Sequence, residues 1–217
     1  MTSRRSLLLN MYEAMLDRLG PSHWWPGESP FEVMVGAILT QNASWENVAR
    51  AIAALKAENL LAPERLYLLS HSELAERIRP AGYFRLKAQR LKNFLLFLKQ
   101  EYRFNLESLQ SEDLAPLRIR LLGVNGIGPE TADSILLYAL NKPSFVVDAY
   151  TRRIASRHGL VTEEVDYASL QRYYTEALPS DVVIYNEYHA LLVRTAKQWC
   201  RKKNPLCEAC PLGSFPR

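Results

Sequence analysis

Apolar residues recur at helical spacing along almost the whole chain, and no segment shows the sustained alternation of a β-strand. Residues 31–40 are nearly all apolar, which predicts a buried helix. Residues 44–56 are amphipathic, and Ser44 is placed to cap the start of that helix. Ser70 and Glu73 have the spacing of a capping box, which marks the start of another helix. The pattern predicts an all-α fold.

The other helices follow from the same periodicity. Residues 86–102 form a long amphipathic segment in which Lys87, Arg90 and Lys92 are predicted to face water. Further helices are expected near the N-terminus, after Pro63, after Ser70, and over 129–140, 149–158, 167–178 and 182–199.

The bulk composition changes this picture little. The chain has 217 residues, of which 48% are hydrophobic and 23% charged, as in an ordinary globular protein. Its net charge of +4 and pI near 9.0 favour a polyanionic partner, although many proteins are this basic. No apolar run is long enough to cross a membrane, and the run at residues 7–9 is too short for a signal peptide. We therefore expect a cytoplasmic protein with no membrane association.

The most informative stretch is a glycine-hinged turn, Val124-Asn125-Gly126-Ile127-Gly128, directly before a predicted helix. Two glycines one residue apart allow positive φ angles and a close approach to another molecule. The next residue, a proline, occupies the first helical position, where a missing N–H costs nothing. The N–H groups of such a turn and helix start are able to hold a phosphate.

This turn, together with an aspartate twenty residues after Gly128, resembles the helix-hairpin-helix motif and downstream aspartate of the DNA glycosylase superfamily that includes endonuclease III. The resemblance implies two helical lobes with a DNA-binding cleft between them. The central lobe, 26–139, would contain the helix-hairpin-helix, and 1–25 with 140–217 would form the second lobe. A monomer would bind double-stranded DNA containing damaged bases. DNA contacts are implied for Val124, Asn125, Gly126, Ile127, Gly128 and Thr131.

Asp148 is the predicted catalytic residue. Breaking an N-glycosidic bond builds positive charge on the sugar, so an ionised carboxylate beside C1′ stabilises the transition state. The same group can orient or deprotonate the attacking water. Asp148 also precedes a predicted helix and would make a good N-cap; one oxygen could cap while the other catalyses.

Glu130 departs from the family pattern. Bifunctional members of this superfamily carry a lysine at this position, whose amine attacks C1′ and forms a Schiff base that leads to strand cleavage. A glutamate cannot form an imine, and no other lysine lies in the motif. We therefore predict base excision without a lyase step, with Glu130 beside the base pocket. The alternative is an acidic residue that only complements the start of a helix.

Three of the four tryptophans lie near the first buried helix. Trp24-Trp25-Pro26 comes just before it, and Trp45 comes shortly after. Paired tryptophans at this place resemble those of the endonuclease III-like 3-methyladenine DNA glycosylases, which implies that these residues form the pocket for a flipped base. Alkylated purines such as 3-methyladenine are cationic, so a tryptophan face attracts them beyond area burial. The alternative is that the tryptophans fill the junction between the lobes.

Two further segments are expected to hold the duplex open. Gln41 and Asn42 follow the buried helix, and the resemblance implies that the glutamine fills the gap left by the extruded nucleotide. Tyr83, Phe84 and Arg85 resemble the loop that wedges a side chain into the opposite strand, and Tyr83 is the favoured wedge. Gln41 could instead cap its helix, and Tyr83 could belong to the core.

The three cysteines, Cys200, Cys207 and Cys210, are spaced as in the iron–sulfur loop of endonuclease III-like proteins. That family binds a [4Fe–4S] cluster with a fourth cysteine six positions later, where this chain has Pro216. Three interpretations are open. A cluster could persist with another ligand or solvent, the loop could have lost its metal, or zinc could bind with a nearby histidine or solvent.

The sequence thus favours a monofunctional DNA glycosylase that removes alkylated purines of the 3-methyladenine type and leaves an abasic site. A mismatch glycosylase for thymine or uracil is the first alternative, since it also needs no lysine. A non-catalytic helix-hairpin-helix module is the second. Asp148 argues against that module because binding alone has no need of a carboxylate facing phosphate.

Overall fold

The computed structural model describes residues 3–22, 24 and 27–216. Within these residues the chain forms α-helices joined by short turns, with no β-strand, so the predicted all-α fold is confirmed. No helix of this described part is long and apolar enough to pass through a membrane. The helices are α1 (Arg4–Leu19), α2 (Pro30–Leu39), α3 (Trp45–Ala57), α4 (Pro63–Leu68), α5 (His71–Arg77), α6 (Phe84–Tyr102), α7 (Leu106–Ser111), α8 (Leu114–Leu122), α9 (Pro129–Ser134), α10 (Ala149–Arg157), α11 (Tyr167–Thr175) and α12 (Val182–Gln198).

The predicted helix starts agree with the capping residues. The Ser44 side chain accepts from the backbone N–H of Asn47. Ser70 and Glu73 form the reciprocal capping box. The short helices α7 and α8 were not located by the hydrophobic pattern, and α9 continues as a π-helical turn over Ile135–Ala139. Short 3₁₀ turns cover Arg79–Ala81 and Cys207–Ala209.

The chain divides into two compact units. The hairpin unit is Trp25–Lys142, and the aspartate unit is Met1–Trp24 together with Pro143–Arg217. The aspartate unit is therefore discontinuous in sequence. The resemblance to the glycosylase superfamily implies lobe boundaries after residues 25 and 139, and that division into lobes stays a prediction.

The hairpin unit is built around α2, whose apolar residues are buried along its length. Helices α3, α6 and α9 and the π-helical turn pack around it. One prediction for α6 is wrong, because Lys87 does not face water but is only 1% exposed. It lies four residues before Leu91 and seven before Phe94, so the helical repeat places it on the apolar face.

The aspartate unit packs α12 against α1 and α10. Its core holds an aromatic cluster in which the rings of Phe145 and Tyr174 stack with centroids 4.7 Å apart. Tyr188 meets both rings edge-on and donates its hydroxyl to the Leu8 carbonyl at 2.8 Å. Phe145 belongs to the buried stretch 144–147, which leads directly into α10 and so fixes where that helix begins.

Candidate functional site

Asp148 is the residue at which the buried stretch 144–147 turns into α10. Its Oδ1 accepts hydrogen bonds from the backbone N–H of Thr151 at 2.7 Å and from the Thr151 hydroxyl at 2.9 Å. Asp148 is therefore the N-cap of α10, and its side chain is 12% exposed. The capping role uses only one of the two carboxylate oxygens.

The other carboxylate oxygen faces α12. Nε2 of the buried His189 lies 3.7 Å from Oδ2 of Asp148. Burial alone would raise the pKa of Asp148, but His189 and the two Thr151 donors outweigh it, and the net pKa is lowered. Asp148 is thus ionised at neutral pH, which is the state that electrostatic stabilisation of a cationic sugar requires.

The turn between α8 and α9 presents backbone N–H groups. Gly126 has a φ of +96°, a conformation that side chains with a Cβ rarely adopt. Asn93 of α6 donates its Nδ2 to the Asn125 carbonyl at 2.9 Å. Because a trans peptide points its C=O and N–H in opposite directions, the Gly126 N–H points away from Asn93. Within the described residues, neither this N–H nor that of Gly128 donates to a protein acceptor, so both are able to bind a phosphate.

An ion pair joins the two helices that flank this turn. Arg118 of α8 donates from Nε to Oδ1 of Asp133 at 2.7 Å and from Nη2 to Oδ2 at 3.0 Å. Asp133 of α9 is fully buried. Bidentate arginine–carboxylate geometry restrains both distance and orientation, so this pair sets how α8 and α9 meet at the turn.

Gln41, in the turn after α2, lies against the hairpin. Its Nε2 donates to the Gly126 carbonyl at 3.0 Å and to the Thr131 hydroxyl at 2.8 Å. Arg90 of α6 donates from Nη1 to its Oε1. The next residue, Asn42, is exposed and has a φ of +53°. Gln41, predicted to fill the gap in the duplex, is therefore only half exposed and bonded to the hairpin, whereas Asn42, predicted to contact DNA, is exposed.

Three of the residues predicted to contact DNA have buried side chains, and their contact with DNA stays a prediction. Thr131 is 6% exposed, and its hydroxyl accepts from Gln41. Val124 and Ile127 are buried in the hairpin, at 8% and 4% exposed. Side chains of this kind fix the shape of the turn. The backbone N–H groups of Val124 and Ile127 also donate within the hairpin, to the Leu121 and Val124 carbonyls.

Tyr83 stands out at the start of α6. It is 70% exposed and has a φ of +46°, which is uncommon for a bulky residue. The ring of the next residue, Phe84, lies near the guanidinium groups of Arg79 and Arg85, at 5.2 and 5.5 Å. The alternative that Tyr83 belongs to the core is wrong. The ring is free to contact another molecule, and its role as a wedge in DNA stays a prediction.

Lys87 anchors both the turn that carries Gln41 and the turn that carries Tyr83. Its Nζ donates to the Leu39 carbonyl at the end of α2 and to the Ala81 carbonyl just before the Tyr83 turn, each at 2.7 Å. Burial, together with the nearby Arg90 guanidinium, lowers the pKa of Lys87 from 10.5 to about 8. One buried cation thus fixes the ends of the two segments that carry Gln41 and Tyr83.

This environment predicts an alkaline gain in stability. Lys87 releases its proton at about pH 8 when folded but near 10.5 when unfolded, so the unfolded chain binds more protons between these values. The contribution of Lys87 to the free energy of unfolding is therefore lowest and constant below about pH 8, and it rises toward pH 10.5. We expect the Tm of the wild type, relative to that of Lys87→Met, to rise across this window. Thermal melts at matched pH values test this, and a flat difference would contradict it.

The predicted base pocket is described only in part. Trp25 and Pro26 lie outside the described residues. Trp24 is half-buried in the aspartate unit, and Trp45 is the half-buried first residue of α3 in the hairpin unit. Glu130 is exposed in the first turn of α9. A shared pocket formed by these residues stays a prediction.

The cysteines gather around one cavity of about 150 Å³. Nη1 of Arg157 lies 3.4 Å from Sγ of Cys200, and Nδ1 of His158 lies 2.7 Å from the Pro216 carbonyl. No three His, Cys, Asp or Glu side chains in the described part of the chain are close enough to hold a single ion. The lining residues are Arg157, His158, Trp199, Cys200, Cys207, Cys210, Leu212 and Gly213.

Several residues that shape the site were not identified from the sequence. His189 belongs to no motif in the sequence, although it follows Tyr185 by four residues and precedes Leu192 by three, on the buried face of α12. The helical repeat was thus a signal that it is buried. Arg118 carried no such signal, because its partner Asp133 lies in another helix.

Comparison with known proteins places this geometry in a family. The model of the HhH-GPD superfamily of base excision DNA repair proteins matches residues 35–180. A protein of Methanocaldococcus jannaschii, named provisionally as the DNA repair glycosylase MJ1434, is 48% identical over 96% of this chain and 95% of its own length.

Solved structures agree in fold. The crystal structure of H. pylori 3-methyladenine DNA glycosylase (MagIII) bound to 1,N6-ethenoadenine matches with a TM-score of 0.77 and 27% identity, covering 90% of this chain and 98% of that one. An endonuclease III–DNA complex matches with a TM-score of 0.83 over 100% of this chain and 96% of that one. At 19% identity, the second likeness concerns the fold alone.

Proposed function

Because the chain belongs to the HhH-GPD superfamily of base excision DNA repair proteins, we propose that it is a monofunctional DNA glycosylase acting on alkylated purines of the 3-methyladenine type. The observation that carries the catalytic proposal is the state of Asp148. This carboxylate is ionised. One of its oxygens caps α10 by accepting from Thr151, and the other lies 3.7 Å from the buried His189 imidazole.

The chemistry follows from the charge of Asp148. As the bond between C1′ and the base breaks, positive charge grows on the sugar, and a fixed carboxylate stabilises it more than the neutral ground state. Two hydrogen bonds from Thr151 hold the carboxylate, and His189 lies 3.7 Å from its other oxygen, so little reorganisation is needed during the reaction. The Asp148 carboxylate could also orient the water that attacks C1′. The product would be a free base and an abasic site.

Glu130 supports the absence of a lyase step. A covalent Schiff base needs an amine at C1′, and the motif position carries a carboxylate instead. The nearest lysine in sequence, Lys142, is committed elsewhere, because its Nζ donates to the carbonyls of Gln110 and Glu112. We expect no covalent protein–DNA adduct after borohydride reduction of a reaction in which base release is measured in parallel. A covalent adduct that forms as fast as the base is released would contradict this.

Two observations support an alkylated purine as substrate. The likeness to the H. pylori 3-methyladenine glycosylase reaches 27% identity, above that of a bare fold match. The sequence also carries the tryptophan pair at 24 and 25, whose faces attract a cationic base. A neutral thymine or uracil would gain less from such a pocket.

The deciding experiment presents each substrate class to the same protein. DNA methylated with dimethyl sulfate, and duplexes with a single G·T or G·U pair, are incubated with it, and released bases are separated by chromatography. We expect release of 3-methyladenine from methylated DNA only. Release of thymine or uracil alone would favour the mismatch alternative, and release of no base at all would favour a DNA-binding module.

We also propose that the cysteine loop binds a [4Fe–4S] cluster through Cys200, Cys207 and Cys210. Soft thiolates are the ligands of such clusters, and the three thiols share one cavity. The loop supplies three thiolates, so the fourth ligand would be another group or solvent. A bound cluster would supply cross-links that tie the loop together, since metal–ligand bonds contribute to folding.

The cluster proposal predicts a coloured, iron-containing protein. Anaerobically purified wild type should contain iron and acid-labile sulfide and show broad visible absorbance. Cys207→Ser should lose both the colour and the iron, whereas Glu208→Gln, next to it in the loop, should keep them. A colourless wild type, or one with zinc in place of iron, would refute the proposal.

The protein is proposed to act as a monomer on double-stranded DNA in the cytoplasm. Asp148 and the hairpin lie on one chain, so a single copy carries both proposed functions.

A further inference from the structure

One face of α6 anchors the turns that carry the proposed DNA contacts. Lys87, Arg90 and Asn93 follow one another at intervals of three residues, so they lie along the same side of the helix. Lys87 bonds Leu39 and Ala81, and Asn93 bonds the Asn125 carbonyl. Arg90, between them, contacts Gln41. The helix thus acts as a common support for three separate turns of the hairpin unit.

Arg90 touches two of these turns at once. Its guanidinium donates to Oε1 of Gln41. Its aliphatic stem lies against Gly126, where an added Cβ would come within 2.4 Å of Arg90 Cγ. Gly126 is therefore required both by its φ of +96° and by the close passage of this side chain.

Gln41 completes the connection. A glutamine amide has two N–H donors, and those of Gln41 bind the Gly126 carbonyl and the Thr131 hydroxyl. Its oxygen accepts from Arg90. The amide is thus held by contacts on both sides, so a displacement of the Gly126 peptide changes the position of Gln41. Asn42, exposed beside it, moves with the same turn.

We propose that Arg90 is a positioning residue that couples the grip of the hairpin on a DNA phosphate to the seating of the Gln41–Asn42 turn in the duplex. This inference rests on the proposed function. Phosphate binding at the Gly126 and Gly128 N–H groups fixes the hairpin, and Arg90 with Gln41 transmits that position to the turn. Loss of Arg90 should therefore impair base extrusion more than DNA affinity.

The test separates unstacking from binding. The probe is a duplex carrying 2-aminopurine opposite a tetrahydrofuran abasic analogue, and its fluorescence rises when the base unstacks. Affinity for the same duplex is measured by anisotropy, and single-turnover excision is measured on methylated DNA. Arg90→Lys keeps the positive charge but replaces the guanidinium. Lys99→Gln, at an exposed position of the same helix, is the control for the charge that a second variant, Arg90→Gln, removes.

We expect Arg90→Lys to lower unstacking and single-turnover excision by roughly tenfold, within the range of couplings between contacting side chains, with little change in Kd. Adding Arg90→Lys to Gln41→Ala should cause no further loss of unstacking or excision, because the two residues act through one contact. Lys99→Gln should behave as wild type in unstacking. Thermal melts of each variant identify loss of fold, and Arg90→Gln provides a second variant should the first unfold.

Two results would overturn the inference. One is normal unstacking by Arg90→Lys, and the other is a double variant whose losses multiply as for independent residues. Failure of the proposed function gives a different outcome. In that case the wild type releases no base, while the fluorescence measurement still reports whether Arg90 couples the two turns.

Discussion

Asp148→Asn is expected to lower the single-turnover rate of base excision by roughly 10²- to 10⁴-fold, the range for loss of a charged group that stabilises or deprotonates in the transition state. The substitution isolates charge from structure, because asparagine is as good an N-cap as aspartate and retains an oxygen for the Thr151 N–H. DNA affinity should be kept. The measurement is base release under single-turnover conditions, with Kd determined on the same duplex.

Asp166 provides a matched control. It is the N-cap of α11 in the same unit, and its carboxylate accepts from the Ser169 N–H at 2.9 Å and the Ser169 hydroxyl at 2.8 Å. Asp166→Asn therefore makes the same chemical change at the same kind of position. It should leave excision unchanged. If Asp148→Asn excises as fast as Asp166→Asn, Asp148 is only a cap and the catalytic proposal fails.

Arg118→Met is expected to destabilise the protein by about 3–5 kcal/mol, because it leaves the buried Asp133 carboxylate without its bidentate partner. For a chain of this size the Tm should fall by about 10 °C. Since the pair joins α8 to α9, DNA affinity should fall with it. Denaturant unfolding and thermal melts measure the first effect, and anisotropy with duplex DNA measures the second.

Arg120 on the same helix distinguishes burial from charge. Its side chain is 43% exposed and pairs with Glu112, so Arg120→Met should cost no more than about 1 kcal/mol. A second variant tests the cause. Adding Asp133→Asn to Arg118→Met should recover part of the stability, because the buried charge is removed. If the double variant were less stable still, the buried carboxylate would not be the reason for the loss.

The local elements were predictable because their causes are local. A capping serine and the N–H it accepts from are three residues apart, as at Ser44 and Asn47. The glycine turn and the proline after it signal a hairpin within six residues. Both of these inferences depend on neighbours along the chain. The assignment of Asp148 rests instead on the resemblance to the glycosylase superfamily, whose aspartate follows the hairpin at the same distance.

The errors arose where a polar residue occupies an apolar face. Lys87 was predicted to face water because lysine usually does, yet the helical repeat of α6 turns it inward. The repeat gives the direction of the side chain but does not identify the two carbonyls that accept its hydrogen bonds. Thr131 and His189 are similar cases, since their partners, Gln41 and Asp148, lie in other segments of the chain.

The sequence by itself determined most of the helices, several of their caps, the glycine turn of the hairpin and the position of one carboxylate relative to it. Only the tertiary structure decided that one oxygen of Asp148 caps α10 while the other faces His189. It also decided that Arg90 and Gln41 join the hairpin to the turn after α2. The physical reason is distance along the chain. Gln41 and Gly126 are 85 residues apart in sequence, and a contact of that kind exists only once the core between them has packed.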